Sequence, residues 1–182
     1  MLEYRKDRKV KVVRQADKIK TLVLIRGKGD IPTGVLVYSP DGRLVKTVRQ
    51  QGMNYPQYIT VDREGRILVT DKESRSVYVF NEDGEFLFQF GRERLKDPRG
   101  ICTDSSGNII VADHGNARVE MFDRLGTFLR HIAIYIRPQA VAISPQGHLV
   151  VADDVGNELT IFLCEKSCQL APVQVSLLLT CG

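Results

Sequence analysis

Arginine residues recur beside polar and aromatic residues in the segments that separate the apolar runs of this 182-residue sequence. Guanidinium groups bind phosphate and carboxylate groups, and a tyrosine ring offers a surface on which another ring can stack. Binding residues are expected in loops, because strand residues are occupied by packing. The candidate binding residues, expected to share one rim of the fold, are Tyr55, Gln57, Arg75, Arg92, Arg94, Arg99, His114, Asn116, Arg118, Arg137 and Gln139.

Catalysis or metal binding would need several titratable side chains that converge on one point, and the sequence gives little indication of such a group. The three histidines, His114, His131 and His148, fall at three different points of the repeat described below, so they are not expected to meet at one metal ion. Cys164 and Cys168 lack the second pair of ligands that a zinc site requires. We therefore expect no catalytic residue, no metal and no cofactor.

A sixteen-residue pattern recurs and predicts the elements that position the candidate residues. It reads PQYITVDREGRILVTD from Pro56, PRGICTDSSGNIIVAD from Pro98 and PQAVAISPQGHLVVAD from Pro138. Each copy contains apolar runs of four or five residues bounded by Gly, Asp, Asn or Ser, which is typical of short strands. Four such strands in a repeat of about 40 residues predict an all-β fold, either a β-propeller or an open propeller arc of about four four-stranded antiparallel blades.

The repeats divide the chain into four blades of one domain. Residues 1–55 form a divergent first blade with a basic N-terminal segment, since residues 1–30 hold ten Lys/Arg against four Asp/Glu. The remaining repeats span 56–97, 98–137 and 138–182, and the last is degenerate because Lys166 replaces the final turn glycine. Divergence at both ends predicts self-association through exposed blade edges.

Two residue types recur at fixed places for structural reasons. Asp71, Asp113 and Asp153 each end the second strand of a repeat, where a carboxylate is expected to accept N–H groups of the loop that follows. The glycines at the first turn of each repeat suit a type I turn that ends in a positive φ. These glycines are Gly65, Gly107 and Gly147.

The sequence shows no targeting or membrane segment. The opening residues MLEYRKDRKV lack the apolar core of a signal peptide, and APVQVSLLLTCG is too short to span a bilayer. We expect a cytoplasmic, reduced protein that does not contact a membrane.

The segment PRGICTDSSGNIIVADHGNARVEMFDRLGTFL resembles an NHL repeat. That repeat has Pro-x-Gly, a turn, a strand ending in Asp, and then Asn-x-Arg followed by a strand ending in Phe, which Asn116, Arg118 and Phe122 match. The copies from Pro56 and Pro138 match less completely, and the resemblance covers about residues 32 to 163. It is strongest to the C-terminal propeller of animal tripartite-motif proteins.

The resemblance implies a role in recognition. Such proteins are ubiquitin ligases whose propeller selects the substrate protein or RNA, whereas their zinc-binding RING and B-box modules lie elsewhere. With four cysteines and three histidines in total, this chain lacks the ligands for those modules. We expect a non-catalytic module that binds a protein partner in ubiquitin-dependent regulation. The alternative is a propeller that binds single-stranded RNA, and a more remote one is a metal-dependent, lyase-like propeller enzyme.

Overall fold

A computed structural model of the chain describes residues 8–15, 18–25, 33–134, 136–153, 158–164, 170–171 and 177–178. These residues form strands and one short 3-10 turn, His114–Asn116, so the all-β prediction is confirmed. The chain divides into two compact units, Met1–Glu93 and Arg94–Gly182. No helix in the described ranges is long and apolar enough to cross a membrane. The side chains of the basic N-terminal segment lie outside the described residues.

The first unit contains two four-stranded antiparallel sheets. The first sheet has the order β1 (Arg8–Gln15), β2 (Lys18–Ile25), β3 (Gly34–Tyr38) and β4 (Leu44–Val48). The second has the order β5 (Pro56–Val61), β6 (Ile67–Asp71), β7 (Ser76–Phe80) and β8 (Phe86–Phe90). In both sheets each strand pairs with the next one along the chain, so the strands follow one another as a meander.

The second unit also contains two antiparallel sheets. One has β9 (Pro98–Thr103), β10 (Ile109–Asp113), β11 (Arg118–Phe122) and β12 (Phe128–Ile134) in sequence order. The other has β13 (Pro138–Ile143), β14 (Leu149–Asp153) and β15 (Glu158–Cys164), and β15 pairs with both β16 (Leu170–Ala171) and β17 (Leu177–Leu178). Two dipeptide strands therefore replace the single fourth strand expected there, in the copy whose sequence lacks the turn glycine.

Each unit has its own apolar core, to which both of its sheets contribute. Strands β6, β7 and β10 are buried along their whole length, so they show continuous apolar runs instead of alternation. Burying one such aliphatic or aromatic side chain contributes about 1.5–3 kcal/mol. Fully or nearly fully buried members include Leu22, Val35, Val69, Tyr78 and Phe80 in the first unit and Ile110, Ala112, Val119, Leu149 and Val151 in the second.

The first turn of each repeat is a type I turn closed by a glycine with positive φ. Gly65, Gly107 and Gly147 have φ of 83°, 83° and 87°, and each donates its N–H to the carbonyl three residues earlier. The side chain of the first turn residue also accepts backbone N–H groups, as Asp104 does from Ser106 and Asn108 at 2.8 Å. The turns that the sequence predicts between the first two strands of each repeat are therefore present in the structure.

The repeated aspartates hold the main chain that leads into each repeat. Asp71 accepts the N–H of Tyr55 at 2.6 Å, Asp113 that of Asp97 at 3.3 Å, and Asp153 that of Arg137 at 2.9 Å. The donor in each case is the residue before the proline that opens the first strand, and that proline lies opposite the aspartate in the ladder. Because proline has no N–H, the preceding residue supplies the donor. The expected contact to the following loop is present at Asp71, which also accepts the N–H of Ser74 at 2.8 Å.

Replacement of Asp113 by alanine should lower the free energy of unfolding by about 2–4 kcal/mol, because the buried N–H groups of Lys96 and Asp97 lose their acceptor. Asp113→Asn is the matched control, since it keeps an oxygen at that place and should cost less. Urea unfolding followed by circular dichroism measures both. Equal losses would show that the hydrogen bonds are not the cause.

Replacement of Gly100 by alanine tests the close approach of β9 to β13. A Cβ on Gly100 would lie 2.6 Å from Cα of Ala140, so the strands must separate and we expect a loss of about 2–3 kcal/mol. At Gly107, where the nearest atom is 3.9 Å away but φ is +83°, alanine should cost about 1 kcal/mol of backbone strain. Thermal unfolding of the two variants compares them, and a smaller loss at Gly100 would contradict the packing described.

Candidate functional site

A cleft of about 810 Å³ lies in the first unit, beside strand β8. We call it the β8 cleft. Its lining comes from the loop between β4 and β5, the loop between β6 and β7, β7, β8 and the residue Arg92 that follows β8. The lining residues are Gln50, Gln51, Gly52, Asn54, Glu73, Ser74, Arg75, Tyr78, Phe86, Phe88, Gln89 and Arg92.

Two of the predicted binding residues, Arg75 and Arg92, lie in this lining and are exposed. Within the described ranges neither guanidinium group forms a hydrogen bond or an ion pair. Glu73 is the one carboxylate in the lining, so the cleft carries a small positive charge. Uncompensated, exposed guanidinium groups are suited to a carboxylate or phosphate of a ligand.

The loop that carries Arg75 is held by partly buried hydrogen bonds. Asp71 accepts the N–H of Ser74, and the hydroxyl of Ser76 donates to the carbonyl of Ser74 at 3.0 Å. Arg75 follows with a left-handed φ of 56°, as does Ala117 at the same place of the next repeat with 52°. The conformation therefore belongs to the repeat and fixes the direction in which the Arg75 side chain leaves the loop.

An aromatic wall borders the cleft. Phe86 is 38% exposed and its ring packs against Phe80 and Tyr78 at centroid distances of 6.0 and 6.3 Å. Burial raises the pKa of the Tyr78 hydroxyl, and the charge of Arg92 opposes this, so the hydroxyl keeps its proton at neutral pH. The cleft thus combines a partly open ring with hydrogen-bonding groups.

The equivalent place in the second unit is filled. Five lining residues have counterparts 42 positions later that gather around the buried carboxylate of Glu120. The pairs are Gly52 and Arg94, Ser74 and Asn116, Tyr78 and Glu120, Phe86 and Phe128, and Gln89 and His131. Arg94 lies 3.5 Å above the ring of Phe128, whereas Gly52 has no side chain to cover Phe86. A glycine in place of an arginine therefore leaves the cleft open.

Glu120 is the centre of the cluster and is fully buried. Its carboxylate lies 2.5 Å from Arg118 Nη2, 3.7 Å from Arg94 Nε and 3.8 Å from His131 Nδ1. Burial raises the pKa of the Glu120 carboxyl, and the charges of Arg118 and Arg94 oppose that shift. Burial and the same two arginines lower the pKa of His131.

Most of the predicted binding residues of the second unit are therefore engaged within the protein. Asn116 donates to the carbonyl of Arg94 at 2.9 Å and to Asp113 at 2.6 Å. Arg94 and Arg118 surround Glu120. These contacts stabilise the unit, and they occupy polar groups that would otherwise be available to a ligand.

A second group gathers around Asp97, whose side chain is 13% exposed. Arg99 binds it through Nη2 at 3.1 Å and also donates to Gln139. His114 Nδ1 lies 3.4 Å from the same carboxylate and only 9% of the side chain is exposed, so His114 is buried and is not a surface histidine. The remaining predicted residues are Tyr55 and Gln57, which are half-buried, and Arg137, which is exposed.

Sequence reasoning missed most of the cleft lining and missed Glu120. The glutamines and Asn54 carry no distinctive spacing, because a solvent-exposed loop has the same composition. Glu120 did give a signal, since it is a single charge inside the apolar run of β11. Its cross-strand neighbour in the ladder is His131, but a shift of register between Met121 and Phe122 hides this pairing from a regular hairpin alignment.

No metal site emerges from the side chains that are described: no three His, Cys, Asp or Glu residues among them lie close enough to hold an ion. His114 and His131 belong to the two different clusters above. The Cys164 and Cys168 pair lies outside the described side chains.

Comparison with known proteins gives a repeat family and a fold. Residues 95–122 match the model of the NHL repeat, the part of the chain that carries the complete sequence pattern. No curated protein sequence matches the chain.

Three solved structures illustrate the likeness of fold. A functionally unknown protein from Desulfotomaculum acetoxidans matches 91% of this chain and 54% of its own, with 16% identity and a TM-score of 0.72. Virginiamycin B lyase from Staphylococcus aureus matches over 93% and 60% with 12% identity, and the WD40 β-propeller domain of Doa1 over 87% and 51% with 17% identity, both with a TM-score of 0.69. The chain spans about half to three-fifths of each neighbour's length, and at these identities the likeness shows the fold alone. That fold is all-β, built of the four-stranded antiparallel sheets of a β-propeller and containing an NHL repeat.

Replacement of Glu120 by glutamine should change how stability depends on pH. The folded carboxyl has a raised pKa, so at this group the folded protein binds a proton more readily than the unfolded chain, and its contribution to stability grows as pH falls towards the ordinary value of 4.5. Glutamine cannot bind that proton. The melting temperature of a protein with Glu120 relative to its Glu120→Gln variant should therefore rise as pH falls. Both are compared in a His131→Asn background, because the imidazole lies 3.8 Å from the carboxylate and would titrate differently without it. A constant difference across this range would contradict a raised pKa.

Proposed function

We propose that this protein is a non-catalytic recognition module whose β8 cleft binds an extended segment of a partner protein. The observation that supports this most is the pair Arg75 and Arg92, exposed and uncompensated beside the open ring of Phe86. Their counterparts 42 positions later are Ala117 and Ile134, and Arg94 fills the equivalent place of the second unit, so the exposed pair of arginines is particular to the β8 cleft.

The composition of the lining favours a peptide over a nucleic acid. Four side-chain amides, from Gln50, Gln51, Asn54 and Gln89, can each donate to a carbonyl and accept from an N–H of a peptide main chain. Glu73 reduces the positive charge of the cleft, whereas nucleic-acid grooves use several cations to neutralise phosphates. The expected ligand is a segment with an acidic residue for the arginines and an apolar or aromatic residue for Phe86.

The resemblance of the repeats to those of tripartite-motif proteins supports a specific setting for this activity. In that setting the module selects the protein that a ubiquitin ligase modifies, and the ligase chemistry resides in other modules. Binding of single-stranded RNA is the competing function, because arginine and aromatic side chains also bind phosphates and bases.

A peptide-display selection tests the proposal, with the wild-type chain and an Arg75→Glu/Arg92→Glu variant as targets. The wild type should enrich acidic peptides with an apolar or aromatic residue, and the variant should lose this binding by about tenfold or more while keeping its fold, because exposed arginines contribute little to stability. Arg43→Glu/Arg63→Glu is the matched control. Both residues are exposed, they lie between β3 and β4 and between β5 and β6, and neither lines the cleft.

A salt titration with polyuridine RNA separates the two ligand classes. RNA held by the arginines would bind with a steep salt dependence, and the slope of log affinity against log salt would fall by roughly one for each arginine removed. Such a slope, together with no enriched peptide, would overturn the proposal in favour of RNA. Equal loss of peptide binding in the control variant would show that the cleft is not the binding site.

A further inference from the structure

Strand β8 lies at the edge of its sheet. Its residues pair with β7 on one side, and in the described part of the chain no strand pairs with its other side. The outward N–H and C=O groups of such a strand can hydrogen-bond to the main chain of another strand. Edge strands of proteins therefore usually carry a feature that prevents pairing.

Strand β8 lacks the usual protective features. Its sequence, FLFQF, contains no charge and no proline, and Phe86 and Leu87 are 38% and 46% exposed. The edge strands β4 and β12 at the same place of the neighbouring repeats carry Lys46 and Arg130. Charged residues on an edge disfavour pairing, whereas short uncharged aromatic segments favour it. The composition of β8 is thus suited to pairing with a further strand.

The charges that flank β8 identify the occupant. Glu82 and Glu85 are exposed just before the strand, and Arg92 is exposed just after it. When two copies of β8 lie antiparallel, a two-fold axis places Arg92 of each copy beside Glu82 and Glu85 of the other, so the same ion pairs form twice. We infer that β8 pairs antiparallel with β8 of a second copy of this chain and joins two sheets into one.

The flanking charges set the register and orientation of this pairing more than its affinity. Lys46 lies 3.9 Å from Asp83 at the acidic end, which leaves the charges of Glu82 and Glu85 there. Glu93 follows Arg92 at the other end and reduces its positive charge. Exposed ion pairs of this kind contribute specificity. Most of the affinity comes from the main-chain hydrogen bonds and from burial of Leu87 and its neighbours.

This inference goes beyond the proposed function, although both use the side chain of Arg92. Pairing engages the main chain of β8, whereas Leu87 does not line the β8 cleft and Phe86 and Phe88 contribute their rings to it. A dimer would therefore bring two clefts to either side of one joined sheet, and a monomeric variant would keep its cleft residues.

Sedimentation velocity of the full chain over a concentration series tests the pairing. The wild type should change from monomer to dimer, and Leu87→Lys should remain monomeric at every concentration. Leu129→Lys is the matched control, because Leu129 occupies the same repeat position on β12 and is 48% exposed. A wild type that stays monomeric, one that grows beyond the dimer without limit, or loss of the dimer in the control as well would overturn the inference.

A charge swap tests the antiparallel arrangement without relying on Leu87. Arg92→Glu alone and Glu82→Lys/Glu85→Lys alone should each weaken dimerisation by about tenfold, because like charges then meet. Mixing the two variants should restore a heterodimer, since both contacts become complementary again. Failure of the mixture to dimerise would exclude this arrangement. Peptide binding by monomeric Leu87→Lys is measured separately, so the cleft and the dimer succeed or fail independently.

Discussion

The local architecture depends on one hydrogen bond in each repeat. It joins the carboxylate at the end of the second strand to the main-chain N–H just before the first strand. Proline at the start of the first strand cannot donate to the ladder, so the ladder would be open at that point. Asp71, Asp113 and Asp153 close it by accepting the N–H one residue earlier. A buried carboxylate with two or three N–H donors is well satisfied, which explains how a charge is tolerated there.

The same contact positions the cleft. Asp71 holds Tyr55 through one carboxylate oxygen and Ser74 through the other, so it joins the two loops that border the cleft. Arg75 follows directly after the second of these points. The direction of the Arg75 side chain thus depends on a residue that does not itself line the cleft. One aspartate therefore serves both the fold and the geometry of the cleft, because both loops meet at the end of the second strand.

Repeat proteins can use one position for different purposes, and the third strand shows this clearly. Tyr78 is buried and uncharged at neutral pH, and it needs no cation nearby, so Arg92 stays exposed. Glu120, at the same place of the next repeat, is buried as a carboxyl group and must be compensated. Arg94 and Arg118 provide that compensation and are lost for recognition. The arginines themselves also differ between the two places, since Arg94 stands where the first unit has Gly52, and Ile134 stands where it has Arg92. The inner strand and the loops above it therefore change together from one repeat to the next.

The sequence by itself determined the strands, the turns and the repeat, because these depend on neighbouring residues: turn glycines such as Gly107 need a positive φ, and short apolar runs bounded by polar residues form strands. It also led to the prediction that arginine-rich loops bind a ligand. The tertiary structure alone decided which arginines are free, since that depends on residues far apart in sequence, such as Arg94 with Glu120 and Arg99 with Gln139. It also decided that Gly52 leaves the ring of Phe86 uncovered. The tertiary structure also decided which main-chain segment each aspartate contacts. Strand register places the proline opposite the carboxylate, and local sequence does not specify that register.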